Sequence, residues 1–172
     1  SWNGAKATLA LRNGGNDTGC RIKDAALQEI VARSGLYIDH QAWQPVHIYF
    51  NGEPYAVLNM REPNNKHYGS ANYGIDTDEM DQFEVCPDSG YVQKEGTREA
   101  WERLYNLSKN AANADTYEEI GKLLDINEFI NYLAVEFYIG NWDWPQNNVK
   151  AFRDQNDGKF RFVVYDLDGA LN

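Results

Sequence analysis

An α+β fold is predicted for this chain, and three observations predict it. Asn51-Gly52, a strong hairpin signal, lies between two runs rich in aromatic and β-branched residues, 46–50 and 55–61. From Thr97 onward the apolar residues recur at helical spacing, and the last of these runs is strongly apolar and extends to about Gly140. A second hairpin is predicted from 152–153 and 160–165, which flank a turn at 154–158. The resulting order is strand, helix, hairpin, connecting segment, helices, loop and final hairpin, so a small sheet region precedes a mainly helical half.

Residues 6–12 alternate well enough for a short strand, and Asn13-Gly14-Gly15-Asn16-Asp17 is a loop signal. Lys6 reads as an exposed strand lysine rather than a nucleotide ligand. Ile22, Ala25, Ala26, Ile30 and Val31 form a helical stripe over about 22–34, with Gly35 where a C-terminal cap belongs. After the first hairpin, 63–74 is polar and aromatic without a sustained period and reads as a long loop or short helix. A strand at about 82–86, a turn at Asp88-Ser89-Gly90 and an extended piece at 91–94 follow. Helices are predicted over 97–110 and 115–124. Asp125-Ile126-Asn127-Glu128 has the form of a capping box, the reciprocal pairing of side chains and backbone N–H groups that opens a helix.

A chain of 172 residues with 42% hydrophobic content is long enough for one unit with its own core. A net charge of −10 argues against a nucleic-acid binder, because no Lys/Arg cluster is present to neutralise phosphates. Cationic or metal-mediated partners fit that charge better. Cys20 and Cys86 allow one disulfide at most, form no zinc motif and read as buried thiols. His40, His47 and His67 share no ligand spacing, which argues against a zinc centre and a histidine-based triad. No apolar run reaches the length of a membrane span, and no signal-peptide pattern is visible.

The residues that carry chemistry lie near the end. Asn141-Trp142-Asp143-Trp144-Pro145-Gln146-Asn147-Asn148 is followed by the final hairpin and by Tyr165-Asp166-Leu167-Asp168-Gly169. An aspartate, an asparagine five positions on, a hairpin and another aspartate before glycine is the arrangement that protein kinases use. Asp143 is therefore the candidate for orienting or deprotonating an acceptor hydroxyl. Asn148 and Asp166 are candidate Mg²⁺ ligands, because amide and carboxylate oxygens suit an ion that keeps its other positions for water and phosphate. Asp168 is a further candidate ligand; on a strand it would share a face with Asp166, whereas a turn would separate them. Asp, Asn and Gly are also ordinary loop residues, so the weight rests on placement between an apolar helix and a hairpin rather than on spacing alone. Trp142 and Trp144 either pack the loop against the core or wall a pocket.

These motifs resemble the spore coat protein H (CotH) kinase family over most of the chain. So do Val46-His47-Ile48-Tyr49-Phe50-Asn51-Gly52-Glu53-Pro54-Tyr55, continuing to Met60-Arg61-Glu62, and the earlier Leu11-Arg12-Asn13-Gly14-Gly15-Asn16-Asp17. The resemblance implies an atypical protein-kinase-like fold that transfers phosphate from ATP to serine residues of a protein with Mg²⁺. Under it Asp143 matches the catalytic aspartate, and Asn148 and Asp166 match the metal-binding positions, with a family-like interval of 23 residues between the two aspartates. Arg61 and Glu62 resemble the stretch leading into the nucleotide hinge, with a strand-end salt bridge as the plainer alternative. The implied organisation is one kinase-like domain over 1–172, with N-lobe-like strands and a helix over about 1–95 and the helical part and catalytic hairpin over 96–172. The family's upstream basic, glycine-containing segment is missing or only begun, and its members continue helically beyond Asp-x-Asp, so an incomplete domain is expected. ATP and a protein acceptor are the implied partners, and an exported, cell-surface or spore-coat location is the implied setting.

Eleven tyrosines and five tryptophans in an acidic chain also suit a non-catalytic carbohydrate- or protein-binding surface module, its Asp and Asn side chains holding a structural Ca²⁺. A structural or adhesive protein that keeps the fold without turnover is the third reading. ATP binding that needs both Mg²⁺ and Asp166 marks the kinase, whereas sugar binding indifferent to Asp143 marks the module.

Overall fold

The computed structural model describes residues 8–17, 19–156 and 158–171. Lys6 and Asp157, in the first predicted strand and the last predicted turn, lie outside the described residues. The first strand, β1 (Ala10–Arg12), is short and pairs antiparallel with β3 (Glu53–Arg61), setting Leu11 opposite Met60. The Asn51-Gly52 turn joins β2 (Trp43–Phe50) to β3, and the sheet order is β1-β3-β2. β2 begins before the predicted position and includes Pro45, which is tolerated because β2 is an edge strand and can lack one ladder donor.

Between β1 and β2 runs α1 (Lys23–Arg33), close to the predicted helix. Its N-cap residue, Ile22, supplies no side-chain acceptor; instead Asp17 reaches in from the preceding loop and accepts the Lys23 N–H at 2.7 Å. That bond, the largest influence on Asp17, holds its carboxyl below the usual range. The polar 63–74 segment forms a helix, α2 (Lys66–Tyr73), because Asn65 caps it by accepting the His67 N–H at 3.0 Å.

The second sheet contains β4 (Met80–Cys86), β5 (Gly90–Glu95), β6 (Val149–Asp154) and β7 (Arg161–Val163), in the order β5-β4-β6-β7. β4 is thus bonded both to its hairpin partner and to a strand more than sixty residues later, Val85 facing Val149. Three helices intervene, α3 (Glu99–Ser108), α4 (Ala114–Leu123) and α5 (Ile126–Ile139). The chain is α+β, with two antiparallel sheets and, among the described residues, three of its five α-helices gathered in sequence between β5 and β6.

Phe83 of β4 lies at the centre of the main core, where its ring meets Tyr91, Trp101, Phe160 and Phe162 at centroid separations of 4.4–6.2 Å. A smaller core under α2 joins Tyr68, Ile75, Met80, Phe152 and Val163. Burial of this aromatic and aliphatic surface anchors the second sheet on α3 and α5.

Two sequence expectations are corrected. The capping box at the start of α5 is only half formed. Asp125 accepts the Glu128 N–H at 3.3 Å, but the Asp125 N–H donates to Phe160 O at 3.0 Å and the Glu128 carboxylate turns inward to accept the Phe162 N–H at 2.9 Å. Both groups serve the junction with β7 instead of each other. Nor are both cysteines buried: Cys20 is exposed in the loop before α1, and Cys86 is half-buried.

Candidate active site

The site begins where α5 ends. Gly140 closes the helix in the left-handed conformation at φ 58°, which a glycine adopts without a Cβ penalty. Asn141 is buried immediately after it, and its Nδ2 donates to Glu136 Oε2 at 3.0 Å. Burial pushes Glu136 up to about 7, with the Asn141 hydrogen bond opposing that rise. Three residues on, the Trp144 indole N–H donates to the Tyr132 hydroxyl at 2.7 Å, and its ring packs edge-on against Phe137. The loop is therefore pinned to α5 at both ends, and Trp142 and Asp143 stand between the pins. The two tryptophans divide the roles left open by the sequence: Trp144 anchors the loop, whereas Trp142, 65% exposed, walls a cavity.

Asp143 Oδ2 accepts from Asn147 Nδ2 at 2.9 Å and from Asn148 Nδ2 at 3.0 Å. With its amide nitrogen engaged there, Asn148 keeps its amide oxygen as an acceptor. β6 starts at the next residue, so the loop is clamped by the second sheet as well.

The other arm follows β7. Asp166 adopts a left-handed conformation at φ 53° and opens a 3-10 turn, Leu167–Gly169, against which α1 rests. Gly169 lies directly against the 141–148 loop: a Cβ at that position would sit 3.0 Å from Asn141 Oδ1, 3.1 Å from Trp142 Nε1 and 3.3 Å from Asp143 Cβ. The absence of a side chain brings the two arms together.

A cluster of charges fastens these arms to the first sheet. Arg12, at the end of β1, donates from one guanidinium nitrogen to Asp166 and to Asp168, the latter at 2.9 Å, and lies 3.5 Å from Asp24. Asp24, in the first turn of α1, is ion-paired with Arg61 of β3 and accepts the Leu167 N–H at 3.0 Å. Burial works against the Arg12 charge, but Asp24, Asp166 and Asp168 outweigh it and keep the guanidinium protonated. Asp168 is raised, chiefly by burial, with Arg12 pulling the other way.

Asp143, Asn148, Asp166 and Asp168 line one open cavity of about 740 Å³, together with Asp17, Lys23 and Trp142. A second cavity of about 520 Å³ adjoins it through Asp166 and is lined by Arg12, Arg61, Asn64, Lys150 and Tyr165, among others. Arg61 thus reaches the cleft, although its side chain is only 3% exposed. Glu62 lines neither cavity: it is buried, its Oε1 accepts from Asn72 at 2.9 Å, and its backbone N–H and C=O are bonded to Ala42 and Gln41.

Among the described residues, no three His, Cys, Asp or Glu side chains are grouped to hold a metal. The donor set at the cleft is mixed, an amide oxygen from Asn148 and a carboxylate from Asp166. That set fits Mg²⁺, which binds through one or two protein groups and completes its shell with water and phosphate. Arg12 engages both carboxylates; Asp168 fits less directly because its side chain is 6% exposed against 22% for Asp166.

Sequence reasoning missed Arg12 and Asp24 as parts of this site. The signal for Asp24 was present. Asp24, Leu27, Gln28 and Val31 form a buried stripe at helical spacing, and a charge on such a stripe implies a buried partner. Arg12 carried no comparable local signal, because its three partners come from residues at least twelve positions away.

No curated protein matches this chain. A family model described as CotH kinase protein matches residues 1–172. That match covers the whole chain, and the chain belongs to the CotH kinase protein family.

Proposed function

We propose that this domain transfers the terminal phosphoryl group of ATP to a serine hydroxyl of an exported, cell-surface or spore-coat protein, with Mg²⁺ as the metal. Kinase-like function in general follows from the family. One observation supports the residue roles: Asp143 and Asn148 from the loop after α5, and Asp166 from the segment after β7, line the same cavity. Asp143, held by two amide donors, is oriented as the group that accepts or aligns the acceptor hydroxyl proton. Asn148 and Asp166 would hold Mg²⁺, which when bound neutralises charge on the phosphate oxygens.

Charge separates the two halves of the cleft. The second cavity carries Arg12, Arg61 and Lys150, and suits an anionic triphosphate. The first carries Asp17, Asp143, Asp166 and Asp168 with Lys23, and suits the acceptor chain. Arg61 contributes to the nucleotide side in this reading, and Glu62, outside both cavities, ties the end of β3 to α2 through Asn72. Asp24 of the first helix, ion-paired with Arg61 and 3.5 Å from Arg12, supplies the helix carboxylate of a strand-cation and helix-carboxylate pair of the kind kinases use to position phosphates.

Calorimetric titration of ATP with and without Mg²⁺, with Asp166→Ala as control, tests the proposal. Binding that needs both Mg²⁺ and Asp166 is expected, with Asp143→Asn retaining nucleotide but losing transfer. ATP binding indifferent to both, or sugar binding unaffected by Asp143→Asn, would favour the non-catalytic surface module instead.

A further inference from the structure

Arg12 occupies Asp166, the carboxylate assigned to the proposed metal, together with the neighbouring Asp168. Its guanidinium bridges Asp166 and Asp168, and at the same time it lines the cationic cavity on the other side. One side chain therefore stands between the metal position and the phosphate position.

The two arginines of the cluster are not equivalent. Arg61 and Asp24 are 3% and 4% exposed at the side chain, so separating them would leave two buried charges unpaired. Arg12 is 23% exposed and Asp166 22%, so their separation leaves both within reach of water. Arg12 can leave, and Asp24 keeps Arg61 when it does. The cluster as it stands contains two guanidiniums and three carboxylates, one negative charge in excess. Removing Arg12 exposes a further uncompensated carboxylate, the condition under which a divalent cation gains most.

Resting on the kinase reading above, we infer that Arg12 is an exchangeable counter-ion: it neutralises Asp166 and Asp168 in the empty site and turns to the nucleotide phosphates when a metal replaces it. The exchange links the two ligands. A triphosphate in the second cavity draws Arg12 off Asp166 and thereby strengthens metal binding; by reciprocity, a metal on Asp166 releases Arg12 and strengthens nucleotide binding. The empty site is thus kept from capturing free divalent cations, and it assembles when metal and nucleotide arrive together.

The test measures each ligand by itself. Mn²⁺ alone is titrated into the wild-type chain, Arg12→Gln, Arg12→Lys and Asp166→Ala, each checked for retained fold by circular dichroism. ATP alone is titrated into the same proteins in chelator. For Arg12→Gln the expected result is crossed: Mn²⁺ binds about five- to tenfold more tightly than to wild type, and metal-free ATP binds more weakly by a similar factor. Arg12→Lys should fall between, since an ammonium bridges two carboxylates less well than a planar guanidinium. A purely structural Arg12 would weaken both ligands in both variants, and that outcome overturns the inference. So does unchanged Mn²⁺ affinity in Arg12→Gln; if Asp166→Ala still abolishes Mn²⁺ binding in that case, the metal site stands without the exchange. Mn²⁺ affinity indifferent to Asp166→Ala would remove the metal site and the exchange together.

Discussion

At the residue scale, the site depends as much on an absent side chain as on the charged ones. Gly169 lets the turn after Asp166 lie against Asn141, Trp142 and Asp143, all within about 3.3 Å of where its Cβ would be. Gly169 does not occupy a left-handed conformation, so Gly169→Ala adds steric pressure without backbone strain. Asn141 is held by Glu136 and has little room to give, so the displacement falls on Trp142 and Asp143. The expected effect is a loss of phosphoryl transfer of roughly ten- to a hundredfold, since sub-ångström misplacement of reacting groups is costly. Unfolding should change far less than for a core truncation. Steady-state kinetics beside a thermal melt checks this, and full activity in the variant would show that the two arms are not in functional contact.

At the scale of elements, helix ends explain why some local signals carried over and others did not. Asn113 caps α4 by accepting the Thr116 N–H at 3.0 Å on an exposed surface, a local event. Asp125 caps α5 but also accepts from Tyr37 and Arg161, each at 2.7 Å, and so ties the helix to β7 and to the segment after α1. Asn113→Ala should cost about 1 kcal/mol, the usual worth of a cap. Asp125→Ala should cost more, roughly 2–4 kcal/mol, because a buried Arg161 loses one of its two carboxylates. Denaturant unfolding of both variants decides it; equal losses would mean that Asp125 acts as a cap alone.

At the scale of the whole molecule, β4 pairs with both β5 and β6, so the second sheet includes strands on both sides of residue 95. We propose that the functional seam lies earlier, at the Glu62 to Asn65 link between the first sheet and α2, where the second cavity opens. Buried carboxylates set the pH response of the folded body. Burial pushes Glu128 up to about 8 from the ordinary glutamate value of 4.5, with the Phe162 N–H bond opposing. The folded chain therefore binds more protons than the unfolded chain between those values, and the contribution of Glu128 to stability is lost as pH rises through about 8. Glu128→Gln preserves an acceptor for Phe162 and removes the titration. Melts at about pH 5 and about pH 9 should show a smaller fall in stability for the variant than for wild type. Parallel curves would show that Glu128 titrates normally.

Periodicity and punctuation in the sequence determined the elements. Asn51-Gly52 specified the first hairpin, apolar spacing specified α1, α3, α4 and α5, and the Asp-x-x-x-x-Asn and Asp-x-Asp-Gly motifs located both arms of the candidate site, because each of these signals acts within a few residues. Tertiary structure alone decided what those elements meet. It brought Arg12 onto Asp166 and Asp168 across more than 150 positions, turned Glu128 from its cap to β7, and joined β4 to β6. These choices depend on burial and on the pairing of charges far apart in the chain, and no local pattern encodes the partner that a buried charge will find.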